Sequence, residues 1–325
     1  MSRPALIVLA SLSAYCLLDI AVSFLVAMIW RTRAVAPADL PPTVRARRLL
    51  QLRLVPSVAA AAITLLVVMP AFAIFEPAHV EEEIGPVFAL LAALAFCQLI
   101  VAALIAARSV WLTHRVEREW LRNSRALESS ESAGLRAFAV ESTSPMVALV
   151  GVFAPQLIAS TSVVDACTAE EIARIAGHER GHFDARDNLK RWIMASLPDM
   201  LRWTPVHREI VDAWHHAAED AADDATTGGE AIARAELAAL LLKIVRLAPA
   251  PSWNAAVVSP FVEQHGLERR VLRLLRPELE PPAPLAIVPL VTLAVVSIAM
   301  IAAVSSPATL EQIFITIEHL VQFGR

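Results

Sequence analysis

The sequence has few charged residues and few cysteines, and both shortages limit what the protein can be. Only 18% of its 325 residues are charged, whereas 57% are hydrophobic, which is too apolar for an ordinary soluble protein. The three cysteines lie far apart, so the sequence supports neither a disulfide framework nor a cysteine-ligated zinc site. We therefore expect a chain that is partly embedded in a bilayer and partly folded as a globular domain.

The sequence also lacks an excess of basic residues. Its formal net charge is −4, and its arginines cluster at the ends of apolar segments instead of forming one broad basic face. Direct binding of the protein to nucleic acid is therefore not expected.

Four apolar segments are long enough to cross a membrane as helices, since about 20 residues span roughly 30 Å of hydrocarbon. The first is too long for the core of a signal peptide and has no small-residue cleavage site, so we interpret it as a retained anchor. Asp19 within it should face the helix bundle, either in a structural hydrogen bond to another span or in a signalling role. The predicted spans are residues 5–30, 54–75, 86–107 and 285–304.

The arginines predict the orientation of these spans, because basic loops remain on the cytoplasmic side of a membrane. Six arginines lie between the first two spans, whereas the next connection contains four glutamates and no Lys or Arg. Arginines also flank the long segment 108–284 at both ends. We therefore expect a multi-pass protein of the cell membrane, with a cytoplasmic domain at 108–284 and with the N-terminus and the tail 305–325 outside.

Helical patterns predominate in this domain, and one stretch favours β-strands. Residues 108–127 are expected to continue the third span as a helix, and 138–164 contain short β-branched and apolar runs typical of two or three strands. Thr168 and Glu171 have the spacing of a capping box, which predicts a helix that runs to about Trp192. Further helices are predicted over 205–227, 230–247 and the basic amphipathic stretch 262–276.

One short motif in this helix carries the clearest chemical signal in the chain. His178, Glu179 and His182 form HExxH, and four residues are about one helical turn, so both imidazoles can bind a single zinc ion. Glu179 is then placed to take a proton from the attacking water. Gly181 permits close backbone packing at a cost in helix propensity. Asp187 either supports the site or lies at the surface, and the surface position is favoured.

A catalytic zinc site needs a third protein ligand, which must come from elsewhere in the chain. Glu219 on the next long helix is the preferred candidate, and Asp223 lies one turn further on, placed to accept a hydrogen bond from a ligand histidine. The reaction also requires a hydrogen-bond donor for the oxyanion, and the histidines of this helix are candidates. For each of these histidines, however, an exposed position on the helix surface is favoured over a role in the site. The rival third ligands are His215, His216, Asp220 and Asp224, and the candidate donors are His207, His215 and His216.

At these residues the chain resembles the BlaR/MecR-like family of membrane zinc metallopeptidases, and more distantly the HtpX/Ste24-like group. The similarity lies in GVFAPQLIAS, TAEEIARIAGHERGHFDARDNLKR and WTPVHREIVDAWHHAAEDAADDAT, and in the order of three spans, a domain and a fourth span. The resemblance implies a mainly α membrane protein with four transmembrane helices and a cytoplasmic α+β zincin-like metallopeptidase domain that contains a small β-sheet.

The resemblance also implies roles for individual residues. His178, His182 and Glu219 are implied to bind Zn²⁺, Glu179 to act as the catalytic base, and Asp223 to orient a ligand histidine. An edge strand is implied to bind extended substrates through its unpaired backbone groups. This strand comprises Met146, Val147, Ala148, Leu149 and Val150.

Members of this family transmit an outside signal by cleaving a cytoplasmic protein, often a transcriptional repressor. The expected partners are therefore a protein or peptide substrate and the lipid bilayer, while a quality-control protease and a non-hydrolytic metal-stabilised scaffold are the alternatives. Drug-sensing members carry a penicillin-binding sensor domain after the fourth span. Residues 305–325 are too short for such a domain, so we do not expect β-lactam sensing.

Overall fold

The chain folds mostly into helices, with one small mixed β-sheet. The structure is a computed structural model. It describes residues 3–32, 35–36, 40–75, 85–127, 132–142, 145–247, 258–260, 266–276, 311–312 and 315–316.

Ten α-helices and five strands are formed by the described residues. The helices are α1 (Arg3–Arg31), α2 (Pro42–Ile63), α3 (Met69–Phe75), α4 (Pro86–Leu121), α5 (Thr161–Ala166), α6 (Ala169–Ala185), α7 (Asp187–Ala195), α8 (Pro205–Thr227), α9 (Ala231–Leu247) and α10 (Leu267–Leu275). A π-helical turn, Thr64–Val68, joins α2 to α3, and a 3-10 turn, Met200–Trp203, precedes α8. The strands are β1 (Ser124–Ala126), β2 (Ala137–Val140), β3 (Val147–Val150), β4 (Gln156–Ser160) and β5 (Val258–Pro260).

Within the described residues, three helical segments are long and apolar enough to cross a membrane, and they contain the first three predicted spans. They are Arg3–Arg31, Pro42–Phe75 and Pro86–Leu121. The second begins well before the predicted residue 54. The third continues beyond 107 as expected, but it ends at Leu121 instead of 127, because Ser124–Ala126 pair with β2 as a strand. The predicted fourth span, 285–304, and most of the tail lie outside the described residues.

The basic segment between the first two spans is largely helical, and it contacts the rest of the chain. Arg53 on α2 is fully buried, and its Nη1 donates a hydrogen bond to Oδ2 of Asp199 over 2.7 Å. Arg45, near the start of α2, pairs with Asp220 on α8. These two ion pairs fix the basic end of α2 against the segment that contains α8.

The first span makes a second polar connection through Asp19, which is fully buried. Its Oδ2 accepts a hydrogen bond from Gln98 Nε2 on α4 over 3.4 Å and from the backbone N–H of Met200 over 2.8 Å. The structural hydrogen bond to another span is thus confirmed. The same carboxylate joins the membrane helices to the connection between α7 and α8.

The sheet has the order β1-β2-β4-β3-β5. β2 and β4 are parallel, and the other neighbouring pairs are antiparallel. The prediction of short strands within 138–164 is confirmed, although that stretch ends in helix α5. β1 and β5 were not predicted, because each has only three residues and a strand that short shows no periodicity.

The prediction that residues 146–150 form an edge strand is wrong for the described structure. Met146 precedes β3, while Val147, Ala148, Leu149 and Val150 make up β3, which lies between β4 and β5. Ala148 is opposite Pro260, Leu149 is opposite Ser259, and Val150 is opposite Val258. An extended peptide can therefore pair with this edge of β3 only at positions that β5 does not already occupy. The sequence did not show this pairing, because its partner comes from more than a hundred residues later in the chain.

Helices α6 and α9 pack on the sheet around an apolar core. Leu237 and Leu241 of α9 belong to the same buried cluster as Leu149 and Leu157 of the sheet and Ile175 of α6. This core fixes α6 between the sheet and the remaining helices. The helices predicted over 205–227 and 230–247 are confirmed, and α8 ends at Gly228 with a positive φ of 56°.

Candidate active site

Helix α6 begins where the sequence predicted and carries the HExxH motif in its second half. The capping box is present, because the N–H of Thr168 donates to the Glu171 carboxylate over 2.8 Å and the N–H of Glu171 donates to the Thr168 hydroxyl over 3.3 Å. His178 and His182 lie one turn apart on the buried face of this helix, with their Nε2 atoms 3.2 Å from each other.

Glu219 of α8 lies against this pair of imidazoles. Its Oε2 is 3.4 Å from Nε2 of His178, and its Oε1 is 3.4 Å from Nε2 of His182. All three side chains are buried. In the described part of the chain, they form a cluster whose ligand atoms lie within 4.8 Å of one another, close enough to hold one metal ion. The structure therefore brings together the two histidines and the acid that sequence analysis preferred.

The close approach of the two helices depends on Gly181, as expected from its place in the motif. A Cβ atom on Gly181 would lie 3.2 Å from Cα and 3.4 Å from Cβ of Ala222 on α8. Two small residues at the crossing point thus let α8 approach α6 closely enough for Glu219 to reach both imidazoles.

The rival third ligands have other contacts. Asp220 pairs with Arg45 and Arg269, and Asp224 pairs with Arg273. His215 and His216 do not belong to the metal-binding group found among the described residues. Ion pairing therefore accounts for the acids that flank Glu219.

The spacing of the donor atoms fits a zinc ion. A tetrahedral zinc ion with bonds of about 2.0–2.1 Å separates its ligand atoms by roughly 3.3–3.4 Å. The two Nε2 atoms are 3.2 Å apart, and each lies 3.4 Å from a different oxygen of the Glu219 carboxylate. Two neutral imidazoles and one carboxylate are also ligands that zinc prefers.

Carboxylates on the far side of both imidazoles orient their Nε2 atoms. Nδ1 of His178 is 3.1 Å from Oδ1 of Asp223, as sequence analysis anticipated, and Nδ1 of His182 is 2.8 Å from Oδ2 of Asp187. A proton on each Nδ1 leaves the Nε2 lone pairs directed at each other and at Glu219. Two lone pairs and a carboxylate in such proximity require a cation or a proton between them.

Asp187 is therefore buried beside the site, whereas a surface position was predicted. The reason is a break in the helix that was expected to continue to Trp192. Arg186 adopts the left-handed conformation with φ 56°, α6 ends before it, and α7 begins at Asp187. This turn directs the Asp187 carboxylate back towards His182.

The electrostatics of the cluster favour a positive charge between its donor atoms. Burial lowers the pKa of His182, but the nearby charges of Glu219 and Asp187 outweigh it and raise the pKa to about 10. Burial likewise raises the pKa of Glu219, but His182 and Arg270 lower it well below its ordinary value. The carboxylate is thus ionised, and a divalent cation would balance the same negative charge.

Glu179 differs from the other acids in this region. It is fully buried, and neither oxygen of its carboxylate has a hydrogen-bond partner among the described residues. Burial raises its pKa, and the charges of His182 and His178 only partly oppose this effect. A raised pKa makes this carboxylate a stronger base than an exposed glutamate.

Arg270 is a residue of the site that sequence analysis missed. It lies on α10 and is buried, with Nη1 3.0 Å from Oε2 of Glu219 and Nη2 2.6 Å from Oδ1 of Asp223. The basic stretch 262–276 was predicted, but its contact was not. A signal existed, because the acids at 219, 220, 223 and 224 and the arginines at 269, 270 and 273 repeat the same spacing of one and four residues.

The other histidines of α8 do not join the cluster, and all three are half-buried instead of exposed. Burial and the neighbouring Arg191 lower the pKa of His215 to about 3. Burial and Arg53 lower the pKa of His207 to about 4. Both rings are therefore neutral at pH 7.

Comparison with known proteins agrees with this geometry. No curated protein matches the chain. The sequence model of one family, described as BlaR1 peptidase M56, matches residues 8–274, which cover most of α1, all of α2 to α9 and nearly all of α10. This match covers most of the chain, the membrane helices as well as the cluster, so the protein belongs to the BlaR1 peptidase M56 family.

Proposed function

We propose that the protein is an integral membrane zinc-dependent endopeptidase that hydrolyses peptide bonds of a cytoplasmic or membrane protein. The observation that carries this proposal is the buried cluster of His178, His182 and Glu219 with the unpaired carboxylate of Glu179 beside it. A metal site that only stabilises a fold needs ligands but no base. Burying a carboxylate without a hydrogen-bond partner lowers stability, so its presence here favours catalysis.

The residues of the site have separate tasks in this reaction. His178, His182 and Glu219 would hold a zinc ion, which would act as a Lewis acid and lower the pKa of a bound water towards about 7. Glu179 takes the proton from the attacking water and then delivers it to the departing amine. Asp223 beside His178 and Asp187 beside His182 keep the two imidazoles in the tautomer that directs Nε2 into the site.

We place this domain on the cytoplasmic side of the cell membrane, with four spans and both termini outside. Two observations support the placement. The arginines between the first two spans follow the pattern of a cytoplasmic segment. Four of these six arginines lie on α2, which contacts α8 through Arg45 and Asp220, so we place the site on the same side as these arginines.

Cysteine labelling tests the placement. In a variant without native cysteines, a single cysteine at Arg47 should react with a membrane-impermeant maleimide only in inverted vesicles. A single cysteine at Ala78 should react only in right-side-out vesicles. The reverse pattern would refute the orientation.

The catalytic proposal is tested with Glu179→Gln in the purified full-length protein. We expect this variant to retain bound zinc, measured by mass spectrometry of the metal, and to lose cleavage of a peptide library. Glu170→Gln is the matched control, because it makes the same chemical change at an exposed position of the same helix. Equal cleavage by the parent and Glu179→Gln, or a parent that binds zinc but cleaves nothing, would favour the non-hydrolytic scaffold.

The substrate class is tested in cells that express the parent or Glu179→Gln. The family resemblance favours a cytoplasmic regulator such as a transcriptional repressor, and new protein termini in one soluble regulator would support a signalling role. New termini spread over many membrane proteins would instead support quality control. Mapping the termini by mass spectrometry distinguishes these outcomes.

A further inference from the structure

A second arginine borders the cluster, and the metal site does not account for it. The side chain of Arg191 on α7 is 11% exposed, and its Nη2 lies 3.7 Å from Oε1 of Glu219. Its Nε is buried and has no hydrogen-bond partner among the described residues. A buried donor without an acceptor costs about 1–3 kcal/mol, so its presence suggests an acceptor that arrives with a ligand.

Packing holds this guanidinium in place. The carbon atom at its centre lies 5.9 Å from the centroid of the Trp214 ring. Trp214 is fully buried on α8, five residues before Glu219. The start of α7 is fixed as well, because Asp187 is bound to His182. These neighbours place the guanidinium beside the cluster, with Nη2 towards Glu219.

Comparison with Arg270 shows why Arg191 has donors to spare. Arg270 uses Nη1 on Glu219, and Nε and Nη2 on the Asp223 carboxylate over 2.9 and 2.6 Å. Its guanidinium is thus engaged by two acids on one side of the cluster. Arg191 makes one long ion pair to the opposite oxygen of Glu219. Among these two arginines, only the second keeps an unpaired buried donor.

The charge of Arg191 suits a reaction in which negative charge develops on a carbonyl oxygen. An arginine remains protonated at any physiological pH, and its planar group offers two parallel donors. Of the two arginines that the structure places at Glu219, Arg270 lies at Oε2 and Arg191 lies at Oε1.

We propose that Arg191 is a catalytic residue that donates a hydrogen bond to the carbonyl oxygen of the scissile peptide bond and stabilises the negative charge that develops there. This role rests on the proposed peptidase function, and it supplies the second oxyanion donor that such a reaction requires. The bond to the oxygen strengthens as the carbonyl becomes tetrahedral, so the residue lowers the barrier more than it strengthens substrate binding.

The experiment compares Arg191→Met and Arg191→Lys with the parent, in the full-length zinc-loaded protein in nanodiscs. The readouts are zinc content, kcat and KM for a peptide that the parent cleaves, and the inhibition constant of a phosphinic peptide, which resembles the tetrahedral transition state. For Arg191→Met we expect kcat to fall by about 10²–10³-fold, with a parallel loss of phosphinic peptide binding and unchanged zinc content. The Lys variant keeps the charge and should lose only about tenfold.

Arg180→Met is the matched control, because it removes an arginine from the outer face of α6, where 42% of its side chain is exposed. It should leave kcat and phosphinic peptide binding unchanged. A kcat of Arg191→Met close to that of the parent would overturn the proposal, as would a loss of zinc in parallel with kcat, since Arg191 would then only position Glu219. A parent that cleaves no peptide would refute the peptidase function itself.

Discussion

Two glycines of α6 provide a direct test of how the cluster is assembled. Gly177 and Gly181 lie one turn apart, and both face α8. A Cβ on Gly177 would meet Cγ2 of Thr226 at 3.7 Å, an ordinary contact, whereas a Cβ on Gly181 would meet the backbone of Ala222 at 3.2 Å. The same substitution to alanine should therefore have opposite effects at these two positions.

The magnitudes follow from two opposing effects. Alanine is favoured over glycine within a helix by about 1 kcal/mol, and both variants gain this amount. At position 177 nothing opposes the gain. At position 181 the contact is with backbone, which cannot rotate away, and overpacking of this kind costs about 1–3 kcal/mol. We expect Gly181→Ala to be less stable than Gly177→Ala by about 1–3 kcal/mol.

The displacement of α8 should also weaken zinc binding, because Glu219 and Ala222 are on the same helix. Thermal unfolding of the zinc-free protein in detergent measures the stability difference, and competition with a chelator measures zinc affinity. Gly177→Ala is the internal control for helix propensity. If Gly181→Ala matched Gly177→Ala in both stability and zinc affinity, the proposed close contact of α6 with α8 would be incorrect.

Three further predictions concern residues outside the zinc ligands. Arg53→Met should destabilise the protein by about 3–5 kcal/mol, because it leaves the fully buried Asp199 without its cation, and the double variant with Asp199→Leu should recover much of this loss in thermal unfolding. An equal loss in both variants would contradict this. Asp187→Ala should lower zinc affinity by about 10–100-fold in chelator competition, since His182 loses the carboxylate that orients it, and unchanged affinity would argue against that role. The hydrogen bond from Lys243 lowers the pKa of Glu171 below 4.5, so the stability that this carboxylate contributes is present above that pH and is lost as the pH falls through the lowered pKa. Unfolding at a series of pH values should thus show a gap between the parent and Glu171→Gln that closes in acid, and a gap independent of pH would refute this assignment.

The sequence by itself determined the local parts of this protein. The apolar lengths of the first three spans, the capping box at Thr168 and the spacing of His178 and His182 each depend on residues within one or two helical turns. The start and end of α8 were equally predictable, because Thr204-Pro205 and Gly228 act on neighbouring backbone. The preference for Glu219 likewise followed from local spacing, because Asp223 lies one turn further on the same predicted helix.

The tertiary structure alone decided which distant groups meet. The pairing of β5 with β3, the return of Asp187 to His182, and the arrival of Arg270 and Arg191 at Glu219 all depend on contacts between separate elements. Such contacts follow from how helices and strands pack. The periodicity of a single segment does not indicate which other segment will pack against it. The same holds for Asp199, whose burial beside Arg53 joins the catalytic domain to a membrane helix.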